Sequence, residues 1–111
     1  MTLTRDFKKT VLERAQKDPK FRHGLLEEAV NEFLSGNVDV GKELLRDYIN
    51  ASHSFPKLAL KLHKSDKSLQ RMLGPRGNPT MTNFFSMLKV IQKKEGISLQ
   101  IHAQNRASGE N

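Results

Sequence analysis

The stretch SFPKLALKLHKSDKSLQRML, from Ser54 to Leu73, constrains the fold more tightly than any other part of this chain. Phe55, Leu58, Ala59 and Leu62 recur at the i, i+3, i+4, i+7 spacing of one buried helical face, and Ser54 stands where an N-cap would. His63-Lys64 interrupts the pattern, at a point where a residue tolerant of positive φ is useful. Ser65 can then cap a second helix that turns Leu69, Met72 and Leu73 inward. Asp66, Lys67, Ser68, Gln70 and Arg71 stay outward. A short helix, a tight turn and a polar-faced second helix is the arrangement by which a helix-turn-helix reads DNA, through side chains that hydrogen-bond base edges or phosphates. The same spacing also serves ordinary helix packing, so the distribution of charge has to discriminate.

The formal net charge is +7, and it is not spread evenly. Residues 1–54 carry nine Lys/Arg and nine Asp/Glu. Residues 55–95 carry Lys57, Lys61, Lys64, Lys67, Arg71, Arg76, Lys89, Lys93 and Lys94 against only Asp66 and Glu95. All the excess therefore falls on the helix-turn-helix stretch and the segment C-terminal to it, the footprint of a polyanion binder rather than of a generally basic chain. A lysine-rich solvated face would give the same count.

The rest of the chain reads as helix. Thr4 can cap a helix from about Arg5 to Lys17 with Phe7, Val11 and Ala15 as a thin apolar stripe, which needs a neighbour to be stable. Asp18-Pro19 reads as an N-cap and first helical position. The next helix, to about Ser35, has the strongest pattern: Phe21, Leu25, Ala29 and Phe33 on one edge, Leu26, Val30 and Leu34 on the other, with Glu27, Glu28 and Glu32 outside. Gly36-Asn37 stops it. A helix from about Asp39 to Asn50 is expected to bury Val40, Leu44, Leu45, Tyr48 and Ile49, with the Tyr48 hydroxyl in water. Gly74 to Thr80, with two glycines and two prolines, is a loop whose amides, with Arg76 and Asn78, can approach a phosphate. Thr80 caps a helix to about Lys94 with Met81, Phe84, Phe85, Leu88 and Ile91 inward, and Gly96 closes it.

Beyond Gly96 the period changes to two. Ile97, Leu99 and Ile101 alternate with Ser98, Gln100 and His102, a strand signal. A lone strand cannot satisfy its own backbone groups. It either pairs with the same strand of a second copy, across a two-fold axis, or lies as an extended tail on its own domain.

No catalytic constellation emerges. The loop lacks the GK[ST] ending of a P-loop and follows a helix. His23, His53, His63 and His102 show no metal-ligand spacing, no Ser sits in a GxSxG context, and cysteine is absent, so no thiolate chemistry is available. No enzyme activity, metal or cofactor is expected. The chain has no apolar run of membrane-spanning length, and MTLTRDFKKTVLER lacks the apolar core of a secretory signal, so a cytoplasmic protein is expected.

With these residues in place, the run from Phe55 to Ile97 resembles the helix-turn-helix of Xre/Cro-type regulators, carried by Leu58-Ala59, the Ser65 cap, Ser68-Leu69 and Arg71. RMLGPRGNPTMTNFFSMLKVI, closed by GISLQI, looks like the antitoxin branch, the HigA-type addiction-module antidote proteins. The resemblance covers residues 38–102. It implies an all-α protein: an N-terminal helical extension (1–37), a lambda-repressor-like helix-turn-helix domain (38–103) ending in one short strand, and a flexible tail (104–111). It implies a dimer on operator DNA, repressing its own operon, with a toxin as a further partner. Asp66, Lys67, Ser68, Gln70 and Arg71 match the groove-facing positions, Lys57 and Ser65 flank them, and Arg76 and Asn78 fall in the phosphate-side loop. The family turn has Gly and an apolar residue where this chain has His63-Lys64. The alternative from another class is a protein-interaction module with a basic face, docking a partner on the helix from Phe21 to Leu34.

Overall fold

The computed structural model describes residues 5–106, and every regular element among them is helical. The helices are α1 (Arg5–Lys17), α2 (Pro19–Leu34), α3 (Val38–Ala51), α4 (Phe55–Leu62), α5 (Asp66–Met72) and α6 (Met81–Glu95). None is long and apolar enough to cross a membrane.

Local chemistry sets the boundaries. Asp18 Oδ1 accepts from the backbone N–H groups of Lys20 and Phe21, at 3.0 and 3.3 Å, before Pro19 opens α2. Ser65 Oγ accepts from Ser68 N at 3.1 Å and Thr80 Oγ1 from Asn83 N at 3.1 Å, the caps of α5 and α6. Gly36 and Gly96 end α2 and α6 at positive φ, as the sequence suggests. Ser54 is the exception. It makes no side-chain cap; its Oγ lies 2.6 Å from Ser52 Oγ and accepts from Lys94 Nζ at 2.7 Å. The expected Thr4 cap lies outside the described residues.

Helices α2 and α3 pack along one another, α1 lies against both, and α4 contacts α5 and α6. One core joins them: Leu26 and Ala29 of α2, Leu45, Tyr48 and Ile49 of α3, Phe55 and Leu58 of α4, Leu69 and Leu73 of the α5 region, Met87 and Ile91 of α6. Helix α2 therefore shares its core with α3 to α6. Lys8 Nζ ties α1 to α3 through Glu43 at 2.6 Å and Asp47 at 3.2 Å.

The turn between α4 and α5 is made by His63 at φ 56°, ψ 43°, with Lys64 N bonded to Ala59 O at 2.9 Å. A histidine thus adopts the left-handed conformation for which glycine has no steric cost. His63→Gly is expected to raise stability by about 1 kcal/mol, and His63→Val to lower it by about 1–2 kcal/mol. Urea midpoints at unchanged m-value check both; a loss in the glycine variant would refute the strained-turn account.

Phe7 and Leu34, expected on the apolar faces of α1 and α2, are 52% and 60% exposed, and four further expectations need correction. The Tyr48 hydroxyl is not in water: the residue is 0% exposed and donates to Glu95 Oε2 at 2.6 Å. Val40 is exposed, and it is Gly41 that meets α2: the Phe33 ring lies over it, where a Cβ would come within 2.5 Å of Phe33 Cε1. The inward stripe of α3 accordingly runs through Gly41, Lys42, Leu45, Tyr48 and Ile49. Met81 and Phe85, expected inward, are 77% and 58% exposed. Helix α6 buries the narrower arc of Met87, Leu88 and Ile91 with Phe84 half-buried, and positions 81 and 85 fall beyond its edge.

The fourth concerns the strand. No strand is present among the described residues, and Ile97, Leu99 and Ile101 form no ladder. Gln92 serves their backbone instead: its carbonyl accepts from Ile97 N at 3.1 Å and its Oε1 from Leu99 N at 2.8 Å. Ile97 and Leu99 pack on the core, while Ile101 is exposed. Within the single chain the segment lies extended on its own domain.

Candidate nucleic-acid interface

The short helix α5 is positioned by two buried anchors and a cap. Leu69 and Leu73, both 0% exposed, fix its rotation, and the Ser65 cap fixes its start. With that rotation Asp66, Lys67, Gln70 and Arg71 are exposed together. Ser68 is half-buried at the edge of a hollow of about 210 Å³ lined also by Arg71, Met72, Gly77 and Asn78. This brings Arg71 to the same hollow as Gly77 and Asn78 of the following loop. Ser65 is engaged as the cap acceptor, which leaves its hydroxyl proton available to donate.

The loop from Gly74 to Thr80 owes its shape to a residue that sequence reasoning passed over. Lys42, 3% exposed, sends its ammonium from α3 to Gly74 O at 3.0 Å, Gly77 O at 2.7 Å and Asn78 Oδ1 at 3.2 Å. Three acceptors match its three N–H donors. Asn78, held through its oxygen, keeps its side-chain amide donors for another partner, and Arg76 is exposed nearby in the chain. Gly77 has no alternative: a Cβ there would lie 2.0 Å from Arg71 O. The signal for Lys42 was its register, three before Leu45 and seven before Ile49, a lysine on an apolar stripe.

Glu95 was missed in the same way, since it continues the stripe of Leu88 and Ile91. Its side chain is 5% exposed and accepts from Tyr48, from Arg22 at 3.3–3.4 Å and lies 3.1 Å from His23 Nε2. Burial alone would push its carboxyl up, but the hydrogen bonds from Tyr48, Arg22 and His23 outweigh this and hold it below the usual carboxylate range. Burial, then the hydrogen bond and charge of Glu95, push the Tyr48 phenol well up.

Lys57, also exposed, does not stand beside α5 alone. With Lys61 of α4 and Lys89, Lys93 and Lys94 of α6 it lines a groove of about 590 Å³ floored by Val90. Lys94 is anchored inward, donating to Ser52 O at 2.8 Å and to Ser54 Oγ. Burial lowers its pKa, and the nearby Lys57 and Arg22 charges reinforce this against Glu95. The predicted site thus divides: residues 65–71 with Arg76 and Asn78 along α5 and its loop, Lys57 in a separate lysine groove, and the 97–101 segment on the core.

A third feature is apolar. Phe33, Val38, Leu73, Pro79, Met81, Phe84 and Phe85 line a hollow of about 360 Å³, where Phe84 meets Phe33 and Phe85 edge-on at 5.2 Å. No group of three or more His, Cys, Asp or Glu residues that could hold a metal ion occurs among the described residues. Comparison with protein-family models, with curated proteins and with solved structures gives no match.

Proposed function

We propose that this chain is a sequence-specific DNA-binding regulator whose reading element is α5. The observation that carries this is the combination of a rigidly anchored short helix after a left-handed turn with an unpaired polar face: Lys67, Gln70 and Arg71 are exposed, and none makes an ion pair among the described residues. A side chain that holds no intramolecular partner exchanges only its water for a base edge and breaks no contact of the fold. The Lys42-tied loop, with Arg76 and Asn78, suits the phosphate contacts that fix register without reading sequence. Repression of its own operon, as one half of a toxin–antitoxin pair, is the biological setting that the resemblance favours.

A footprint on DNA upstream of its own gene tests the reading. An inverted repeat protected at half-sites about one helical turn apart indicates a dimeric autoregulator; no protection even at low salt rejects it. Within a footprinted site, Arg71→Ala or Lys67→Ala is expected to cost about 1–3 kcal/mol if the side chain reads a base. An equal loss on random DNA assigns a phosphate contact instead. No change in either variant removes α5 from the interface.

One observation favours the protein-interaction reading as a second function of the same chain. The apolar hollow at Phe33, Met81 and Phe85 adjoins the C-terminal end of α2, where Leu34 is also exposed. Exposed aromatic and Met side chains of this kind suit a protein partner, a second copy or a toxin.

A further inference from the structure

The groove between α4 and α6 gathers more positive charge than any packing role requires. Lys57 and Lys61 stand four residues apart on α4, and Lys89 and Lys93 four apart on α6, so each pair advances about 6 Å along its helix. All four are exposed, and none pairs with an acid among the described residues. Glu95, the sole acid of α6, is turned away to Tyr48, Arg22 and His23. Asp66, the sole acid of α5, is not among the lining residues. Lys94 closes the groove from behind, its ammonium already committed to Ser52 and Ser54. Like charges lining one concavity, with neither acid nor arginine among them, repel one another in the free protein and gain most from a polyanion. Lysines act as point charges, suited to a chain of phosphates rather than to the bidentate capture of single carboxylates.

We propose that this groove is a phosphate track, binding the sugar–phosphate backbone of DNA through Lys57, Lys61, Lys89 and Lys93 at a surface separate from α5. It shares no lining residue with the hollow beside Arg71 and Asn78. The identity of the polyanion rests on the nucleic-acid reading of α5, whereas the track itself supplies affinity and no sequence information.

The test uses the full chain with Lys57, Lys61, Lys89 and Lys93 all changed to Gln, a second variant carrying only Lys89→Gln and Lys93→Gln, and the α5 variant Arg71→Ala. Binding to the upstream DNA and to a random-sequence duplex is measured as salt is varied. Because all four lysines are exposed and mutually repulsive, the quadruple variant is expected to melt no lower than the parent. Its affinity for both DNAs is expected to fall by about tenfold or more at low salt, with preference between them kept and the salt slope shallower by about 0.9 for each phosphate no longer neutralised. The double variant should fall part of the way. Unchanged affinity and slope in both groove variants, with the parent still binding, overturn the track but leave α5 as the reader, and leave the groove to an acidic protein. A parent that binds both DNAs alike, with the loss confined to the groove variants, keeps the track and removes the α5 reading. A parent that binds neither DNA overturns both.

Discussion

Glu95→Ala is expected to be among the most damaging single substitutions in the chain, lowering stability by about 3–5 kcal/mol, the range for removing one partner of a buried ion pair. The carboxylate is the meeting point of three helices. Arg22 and His23 reach it from α2, Tyr48 from α3, and it belongs to α6. Arg22 also donates to Ala15 O at 2.9 Å and Gln16 O at 3.2 Å, so its loss of a counter-ion loosens the end of α1 as well. Glu95→Ala takes the carboxylate acceptor from a fully buried phenol and leaves a part-buried guanidinium with only the Ala15 and Gln16 carbonyls; Glu95→Gln should retain the Tyr48 bond and lose less. The folded carboxyl titrates below its ordinary 4.5. Its stabilisation is therefore complete above the unfolded value and disappears as pH falls through the lower folded one. Melting temperature in the parent should drop as pH falls below the ordinary carboxylate range, and Glu95→Gln should flatten that dependence. A variant with the parent's acid limb would place the titration elsewhere.

The same residue marks the boundary of what the sequence discloses. Helix positions were legible because their determinants are local: the Asp18-Pro19 start, the Ser65 and Thr80 caps, the Gly96 stop and the apolar spacing of α4. The polar face of α5 was legible for the same reason, since Leu69 and Leu73 fix its rotation. Lys42 and Glu95 were not, because a charge on an apolar stripe looks like a flaw until its partners, 32 to 73 residues away in sequence, are in view. Met81 and Phe85 failed for the opposite reason. Periodicity identifies an apolar face but cannot say how much of it a neighbour covers. The alternation at 97–101 was real, yet alternation cannot distinguish a paired strand from an extended tail; within the single chain no ladder forms, and Gln92 accepts from Ile97 N and Leu99 N. The lysine groove required the approach of α4 and α6, which no local pattern encodes.

The second large effect is expected at Gly77, where neither φ nor an apolar stripe hints at the constraint. A methyl group there would sit 2.0 Å from Arg71 O, 2.9 Å from Arg71 C and 3.2 Å from Met72 Cα. All three are backbone atoms, so no side chain can rotate away, and the loop must move off α5. Gly77→Ala should therefore lower stability by about 3 kcal/mol or more, at the upper end for overpacking. Displacement of the loop also pulls Gly77 O and Asn78 Oδ1 from Lys42, whose buried ammonium then depends on Asp39 Oδ1, 3.5 Å away on its own helix. If the chain binds DNA as proposed, its affinity should then fall even at temperatures where the variant is fully folded, because Asn78 and Arg76 are carried by the displaced segment. Lys42→Met separates the two contributions: it removes the tether without the clash, and should cost less stability while still slackening the loop. Gly24→Ala supplies the contrast. No atom lies within 4 Å of its Cβ position in the interior of α2, so that substitution should stabilise by about 0.5–1 kcal/mol. Urea unfolding of the three proteins decides the point. If Gly77→Ala unfolds with the parent, the loop has room that the Arg71 carbonyl denies it, and the close packing of the loop against α5 on which Asn78 depends is wrong.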